Sequence, residues 1–395
     1  MRSGSNHRVG LLCLFLIAFV PSCLISVAGF ACPYSIRDVG FVELEAARYG
    51  LYFLVRDDTP ERDEIAKAFE EIADAVLLDS NIWPEVVNLD QQESHPVNQH
   101  VRFWSIDTFP AAILVAEGCR SLALPAFSPD EPFKDQAWSL LEGVVTSPKR
   151  EELMQHVAKA WCTVLLVEGE DAAENQRAHE AVKEATGLIA GAITPMGRAI
   201  QDAPQIVLVS PKSAAEETVL VWSLGLDKPA GARAAVLYGR GRQMGPVLEG
   251  DDLTKEFVLD ILYAIGLDCG CETDRRLLAG RVIPLRWGPD IQAAVAEHLG
   301  FDPENPMVKT EVSRLWPAGA SYAESSLGYS EGVFEYEEVP ADTIVASTEK
   351  VVREPSVASA STLGERAGRT LLVIGGALVL LVLVGSGFLI RSRVK

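Results

Sequence analysis

Residues 371–390, LLVIGGALVLLVLVGSGFLI, carry no charge. At 1.5 Å per residue a helix of about 20 residues crosses a hydrocarbon core of roughly 30 Å. Arg391, Arg393 and Lys395 follow directly, and basic residues stay on the cytoplasmic side. The stretch therefore predicts a C-terminal transmembrane helix at 370–390, with 391–395 as a cytoplasmic basic tail and everything before it exported. The span has no ionisable residue that would mark an ion or proton path, so it reads as an anchor.

The other end gives the same orientation. Arg2 and Arg8 precede the apolar run LLCLFLIAFVPSCLISVAGF at 11–30, and small residues offer cleavage after Ala28 or Ala31. That is the layout of a secretory signal peptide, 1–31. An uncleaved anchor and a lipid-modified Cys23 are the alternatives. The formal net charge is −20. An acidic chain lacks the basic face that phosphate binding needs, which excludes nucleic acid as partner and anionic lipid as docking surface.

Beyond the leader the cysteines are Cys32, Cys119, Cys162, Cys269 and Cys271. So few, and an odd number, do not make a disulfide framework, so the core must rest on packing. No Asn-x-Ser/Thr sequon occurs, which weighs toward a bacterial envelope. Residues 316–369 are acidic, rich in Ser, Ala and Gly, and without helical periodicity. They predict a flexible stalk.

The remainder, 32–160 and 161–315, is long enough for two domains. In the first, YGLYFLVRD (49–57) reads as a buried strand. A helix follows with Ile65, Ala66, Phe69, Ile72, Ala73 and Val76 on one stripe, Thr59 as N-cap and Pro60 at its first position. PEVVNLD (84–90) is a second strand, 91–106 is irregular, and DTFPAAILVAEGCRSLALP (107–125) is a hairpin. A helix at 147–161, capped by Ser147 with Pro148 next, closes the unit. In the second domain AWCTVLLVEGE, PQIVLVS and TVLVWSL read as strands, DAAENQRAHEAVKEATGLIAGAI as a helix, 232–250 as a hairpin and LTKEFVLDILYAIGL as a closing helix. Alternating elements closed by a hairpin imply a mixed-sheet α/β architecture, repeated in tandem.

This order resembles the thioredoxin-like fold. The strongest local match is DTFPAAILV: members carry a proline, usually cis, just before the third strand and a glycine turn after it, where Pro110 and Gly118 stand. The resemblance covers most of 49–160. It is looser in the second half, where TVLVWSL adds a strand and Pro229 lies several residues before the hairpin. It implies two tandem thioredoxin-like mixed-sheet domains, with partner binding around Phe109 and Pro110. Active members place Cys-x-x-Cys between the first strand and its helix, where the helix N-terminus activates the thiolate. Here those loops are RDDTPERDE and EGEDAAENQ, acidic and without cysteine, which implies redox-silent domains.

Three other features could carry chemistry. Cys32-Pro33-Tyr34-Ser35 is similar to a glutaredoxin Cys-Pro-Tyr-Cys but lacks its preceding core strand. The simpler reading is a segment lying across the first domain, with Cys32 free or bridged to Cys119. Cys269 and Cys271 in DCGCETDRR could form a strained, exchangeable pair, with unreactive cysteines and a metal site as alternatives. Arg240 and Arg242 in YGRGRQMGP could hold an anion or simply flank a glycine turn. His95 and His100, with Asp90 and Glu93 nearby, read as a polar loop that could meet a cation. No cofactor or metal is expected. The leading expectation is a signal-directed, single-pass, non-catalytic protein of the cell envelope that binds a protein partner in or near the membrane. The alternative is a membrane-tethered thiol–disulfide exchanger using Cys269 and Cys271.

Overall fold

The computed structural model describes residues 34–43, 49–116, 120–194, 200, 202–227, 231–267 and 280–314. The leader at 1–31, Cys32, Cys119, Cys269, Cys271, the stalk, the apolar span at 370–390 and the basic tail lie outside these residues. Among the described residues no helix is long and apolar enough to cross a membrane.

The chain opens with a four-residue helix α1 (Ile36–Val39). The first repeat then runs β1 (Tyr49–Val55), α2 (Arg62–Val76), β2 (Ile82–Asn88), α3 (Asn98–Trp104), β3 (Ala111–Val115), β4 (Ser121–Ala123) and α4 (Phe133–Val145). After a linking helix α5 (Pro148–His156) the second repeat runs β5 (Thr163–Val167), α6 (Ala172–Ile189), β6 (Gln205–Val209), α7 (Thr218–Leu224), β7 (Arg233–Tyr238), β8 (Arg242–Glu249) and α8 (Lys255–Ala264). Helices α9 (Pro289–Leu299) and α10 (Pro306–Ser313) follow.

Each repeat builds one four-stranded mixed sheet with the same connectivity, β2-β1-β3-β4 and β6-β5-β7-β8. The first pair of strands is parallel (Tyr49 opposite Ile82, Thr163 opposite Gln205) and the other two pairs are antiparallel. Parallel neighbours need a crossover helix, and α2 and α6 supply it.

Both faces of each sheet are covered. In the first repeat Phe53, Phe69, Leu114 and Leu141 pack beneath α2 and α4, with Phe53 stacked on Phe69 at 4.2 Å. The opposite face, Leu54, Val87 and Ile113, meets Val101 of α3. In the second repeat Val164, Leu166, Val182 and Ile261 pack beneath α6 and α8, while Leu165, Val207 and Leu237 meet Leu220 of α7 and Leu153 of α5.

Several expectations need correction. TVLVWSL is a helix, α7, not a strand, so the extra strand that made the second half look irregular does not exist. The segment read as irregular contains α3, and the helix closing the first sheet is α4, which the sequence reading passed over. Helix α2 starts at Arg62, with Glu61 at φ 50° before it and no side-chain cap. Thr59 instead closes the turn that precedes it, accepting from the Arg56 amide at 2.8 Å and donating its own amide back to Arg56 O. Ser147 and Pro148 stand at the start of α5 as expected, Ser147 Oγ accepting from the Arg150 amide.

The N-terminal segment also lies on the other domain. Ser35 caps α1 and Asp38 returns the bond in a capping box. The Ile36 and Arg37 amides donate to Leu267 O and Ile265 O, both 3.0 Å. Ile36, Val39 and Val42 join the core of the second repeat. Arg37 is buried and donates to the carbonyls of Ala158, Ala160 and Trp161.

A strap at 280–287 fastens the two sheets together. On one side the Gln243 amide donates to Arg281 O at 2.7 Å and the Ile283 amide to Gly241 O at 3.1 Å. On the other, Asn81 donates Nδ2 to Ile283 O at 2.9 Å and accepts the Leu285 amide on Oδ1 at 3.0 Å. Tyr49 Oη donates to Val282 O. Ile283 and Leu285 are buried against the second repeat, so the strap is a core element of one repeat and a hydrogen-bonded edge of the other.

Candidate functional site

In the first repeat β1 and α2 are joined by Arg56–Glu61, and the turn facing this loop enters β3 through a cis Phe109–Pro110 peptide. The Arg56 guanidinium lies 4.9 Å from the centre of the Phe109 ring, a cation–π contact that holds loop and turn together. Behind it Asp57 forms a web. Its amide donates to Asp90 Oδ2 at 2.9 Å, and its Oδ1 accepts from Arg62 (2.7 Å), Asn88 (2.9 Å) and Gln91 (3.0 Å). The amide donors of Asn88 and Gln91, with Arg62 beside them, hold the Asp57 carboxyl below its ordinary range. Where a nucleophilic thiol would stand, at the entry to α2, the chain places carboxylates and Glu61.

The equivalent loop of the second repeat, Glu168–Asp171, is also without a thiol. Asp171 caps α6, accepting from the Ala173 and Glu174 amides. Asn175 exchanges two hydrogen bonds with Gly169. Here the residue before β7 is Ala232 where the first repeat has Pro110, and Gly231 leaves room for the Glu174 carboxylate, which a Cβ would meet at 2.1 Å. The cis-proline turn belongs to the first repeat alone among the described residues.

The remaining candidates fall elsewhere. Cys162 is the one described thiol; it is buried, and burial pushes it well above its ordinary pKa despite nearby Arg37. That environment suits an unreactive core cysteine. Tyr34 of the Cys-Pro-Tyr-Ser tetrad packs against the second-repeat core and Ser35 caps α1, with no strand leading into it among the described residues. His95 Nε2 lies 3.3 Å from Glu85 and its Nδ1 accepts the Val97 amide, whereas His100 is buried in α3. Asp90 is committed to the Asp57 web. These groups do not converge, and among the described residues no cluster of metal-binding side chains forms.

Gly239 and Gly241, at φ 55° and 72°, make the turn of the second hairpin. Arg240 pairs with Glu43 (2.8 Å) and Glu304 (3.0 Å) and lies 4.6 Å from the Trp287 ring centre, and Arg242 donates to Gly280 O. The structural role of this stretch accounts for both arginines. What the sequence reading missed is the buried network at the junction of the repeats. Glu217, fully buried, accepts from Ser147 Oγ at 2.5 Å and from the Lys149 amide at 2.8 Å. Arg150 donates from Nε to that same Ser147.

No family model matches the chain, and no curated protein does. Among solved structures it is similar to a human ERp44 zinc-bound form, at 11% identity and TM-score 0.21, covering 58% of this chain and 60% of that one. It is similar to the first two thioredoxin domains of Saccharomyces cerevisiae Eps1p, at 11% identity and TM-score 0.20, covering 59% and 97%. Full-length ERdj5 matches at 7% identity and TM-score 0.20, covering 55% and 29%. The chain thus spans less than two thirds of ERp44 and of ERdj5. By its own strand order and crossover helices, the chain builds two four-stranded mixed sheets of one connectivity, consistent with a thioredoxin-like fold.

Proposed function

We propose that this is an exported, membrane-anchored thioredoxin-like protein that acts as a binding or assembly subunit of an envelope complex, with the Phe109–Pro110 face holding a protein partner. One observation carries the reading. The loop that would present a thiol to the cis-proline turn is instead closed by Asp57, Arg62, Asn88 and Gln91, leaving a face suited to contact without thiol chemistry. The net charge of −20 favours a protein partner over nucleic acid.

The test is photo-crosslinking in membranes, using the full-length chain with a photoreactive side chain at Phe109 or, as control, at exposed Leu188 on α6. A discrete adduct from 109 that 188 does not give supports the reading, and identical or empty patterns from both sites reject it. Thiol trapping across a graded redox buffer addresses the exchanger. A reversible pair that disappears in Cys269→Ser/Cys271→Ser would replace the binding reading with disulfide exchange.

A further inference from the structure

Strand β4 is an edge of the first sheet. Its register on β3 fixes which backbone groups point outward. The Ala116 amide donates to Arg120 O at 2.8 Å and the Leu124 amide to Ala112 O at 3.0 Å, with Leu122 opposite Leu114 between them. Hydrogen-bonded and non-hydrogen-bonded pairs alternate in an antiparallel ladder, so Arg120, Leu122 and Leu124 face β3. Ser121 and Ala123 turn their N–H and C=O groups away from it, and neither group has a backbone partner among the described residues.

Natural edge strands are usually blunted by charge, proline or a bulge. The opposite edge, β2, carries Pro84 and Glu85, and the β8 edge of the second sheet is covered by the strap through Gln243 and Arg281. β4 reads Ser-Leu-Ala, uncharged, and only Pro125 ends it.

Beside this edge lies a groove of about 670 Å³. Its walls are Leu122, Leu124 and Phe127 from the strand side, Leu140 and Val144 of α4, and Val219 of α7. Glu131, Asp135 and Glu216 stand exposed at its rim, and no lysine or arginine lines it. A strand added to β4 would place alternate side chains on the face occupied by Leu122 and Leu124, over this groove.

We propose that β4 and this groove bind an extended segment of a partner protein. The segment pairs with the outward groups of Ser121 and Ala123, sets alternate apolar side chains into the groove, and carries lysine or arginine toward Glu131, Asp135 and Glu216. The carboxylate rim sets the sign of the partner's charge, and the free backbone groups set its extended form. The surface is separate from the Phe109–Pro110 turn and stands whether or not that turn binds anything.

The test uses the full-length chain in detergent and a short fluorescein-labelled peptide of alternating valine and lysine, followed by anisotropy. Two control peptides accompany it: one N-methylated on alternate residues so that it cannot pair with an edge, and one with glutamate replacing lysine. Three variants accompany them. Ala123→Pro removes an outward N–H without touching the ladder to β3. Ser139→Trp, on the exposed side of α4, fills the groove. Leu188→Ser, on the exposed side of α6, leaves the groove intact.

The expected result is binding of the valine–lysine peptide that weakens with salt, and none of the glutamate peptide. N-methylation, Ala123→Pro and Ser139→Trp should each weaken it about tenfold or more, the scale of one or two lost backbone hydrogen bonds. Leu188→Ser should leave it unchanged. Should Ala123→Pro lose its native circular dichroism, the methylated peptide and Ser139→Trp decide alone. Failure of the valine–lysine peptide to bind overturns the proposal, as does equal binding of its methylated form or full affinity in Ser139→Trp.

Discussion

Arg150→Ala is the perturbation whose cost can be worked most directly from the structure. Arg150 is 2% exposed. Its NH1 donates to Val144 O (2.5 Å) and Pro284 O (3.0 Å), its NH2 to Gly143 O and Thr146 O (both 2.6 Å), and its Nε to Ser147 Oγ (2.9 Å). One guanidinium thus ties the end of α4, the start of α5 and the strap, and Ser147 bridges it to the buried Glu217 without a direct ion pair. Removing it leaves several buried carbonyls without their donor and takes away a Coulombic partner of that carboxylate. Losing one side of a buried charged network costs about 3–5 kcal/mol, a large share of the roughly 5–15 kcal/mol by which domains are folded. At about 2–4 °C per kcal/mol for a chain this size, melting should fall by about 6–20 °C. Burial also lowers the arginine's own pKa to about 10, a sign that the charge is held at a desolvation cost. Arg150→Met/Glu217→Leu, which removes both charges, should therefore be at least about 2 kcal/mol more stable than the two single losses added together. Urea and thermal unfolding of the unaltered chain, Arg150→Met, Glu217→Leu and the double variant give the cycle. A single-variant loss under about 1 kcal/mol, or strict additivity, would refute the assignment of this network as the lock between the repeats.

Asn81→Ala removes that residue's two part-buried side-chain bonds to the strap, which should lower stability by about 1–3 kcal/mol. Limited proteolysis should then cut within 280–287 before either sheet opens. Gly239→Ala should release the N-terminal segment, because Gly239 has φ 55° and a Cβ there would lie 2.2 Å from the Gly40 carbonyl. Hydrogen exchange at the Ile36 and Arg37 amides should rise first, and unchanged protection there would count against that packing. His100 and His298 both have lowered pKa values, chiefly through burial, with Arg37 adding to the effect at His298. The unfolded chain therefore takes up protons that the folded chain refuses. The stability is complete above about pH 6.5 and falls as pH drops toward the lowered folded values. His100→Gln should flatten that slope in pH-dependent urea melts.

The parts of this fold legible in the sequence are those where one face is buried and the other wet. Helix α2 shows its stripe because Phe69, Ala73 and Val76 are buried and Glu70, Glu71 and Asp74 are not. The hairpin at 232–250 shows itself through its glycines. TVLVWSL hides its class because Leu220, Val221 and Leu224 pack on the second sheet while Val219 and Trp222 pack on the first. A short segment buried on all sides has no periodicity, and its β-branched content then misleads. Gly225, which ends α7 at φ 78°, was the available signal, since a left-handed glycine closes helices. Helix α4 was legible through Phe133, Ala137, Leu141 and Val144 at helical spacing. The strap was not: 280–287 has no regular element of its own, and its partners lie on both repeats.

The site shows the same division. Pro110 could be placed from DTFPAAILV because a proline before a strand is a local signal, and the missing cysteines could be read directly. The Asp57 web could not, because Asn88 and Gln91 lie about 30 residues from it in sequence and meet it only where the parallel pairing of β1 and β2 aligns their ends. The same pairing exists in the second repeat, where the Glu168 amide donates to Val209 O at 3.0 Å, but there the side-chain tie is local, Asn175 on Gly169. Two repeats with one connectivity have thus fixed the same loop by different means. In the first, side chains tie the loop to the neighbouring strand's end, to its own helix and to the cis-proline turn; in the second, the side-chain tie is to its own helix alone. The partner proposed for Phe109 would meet a loop already fixed by its neighbours, so the ordering cost of that proposed binding would be small.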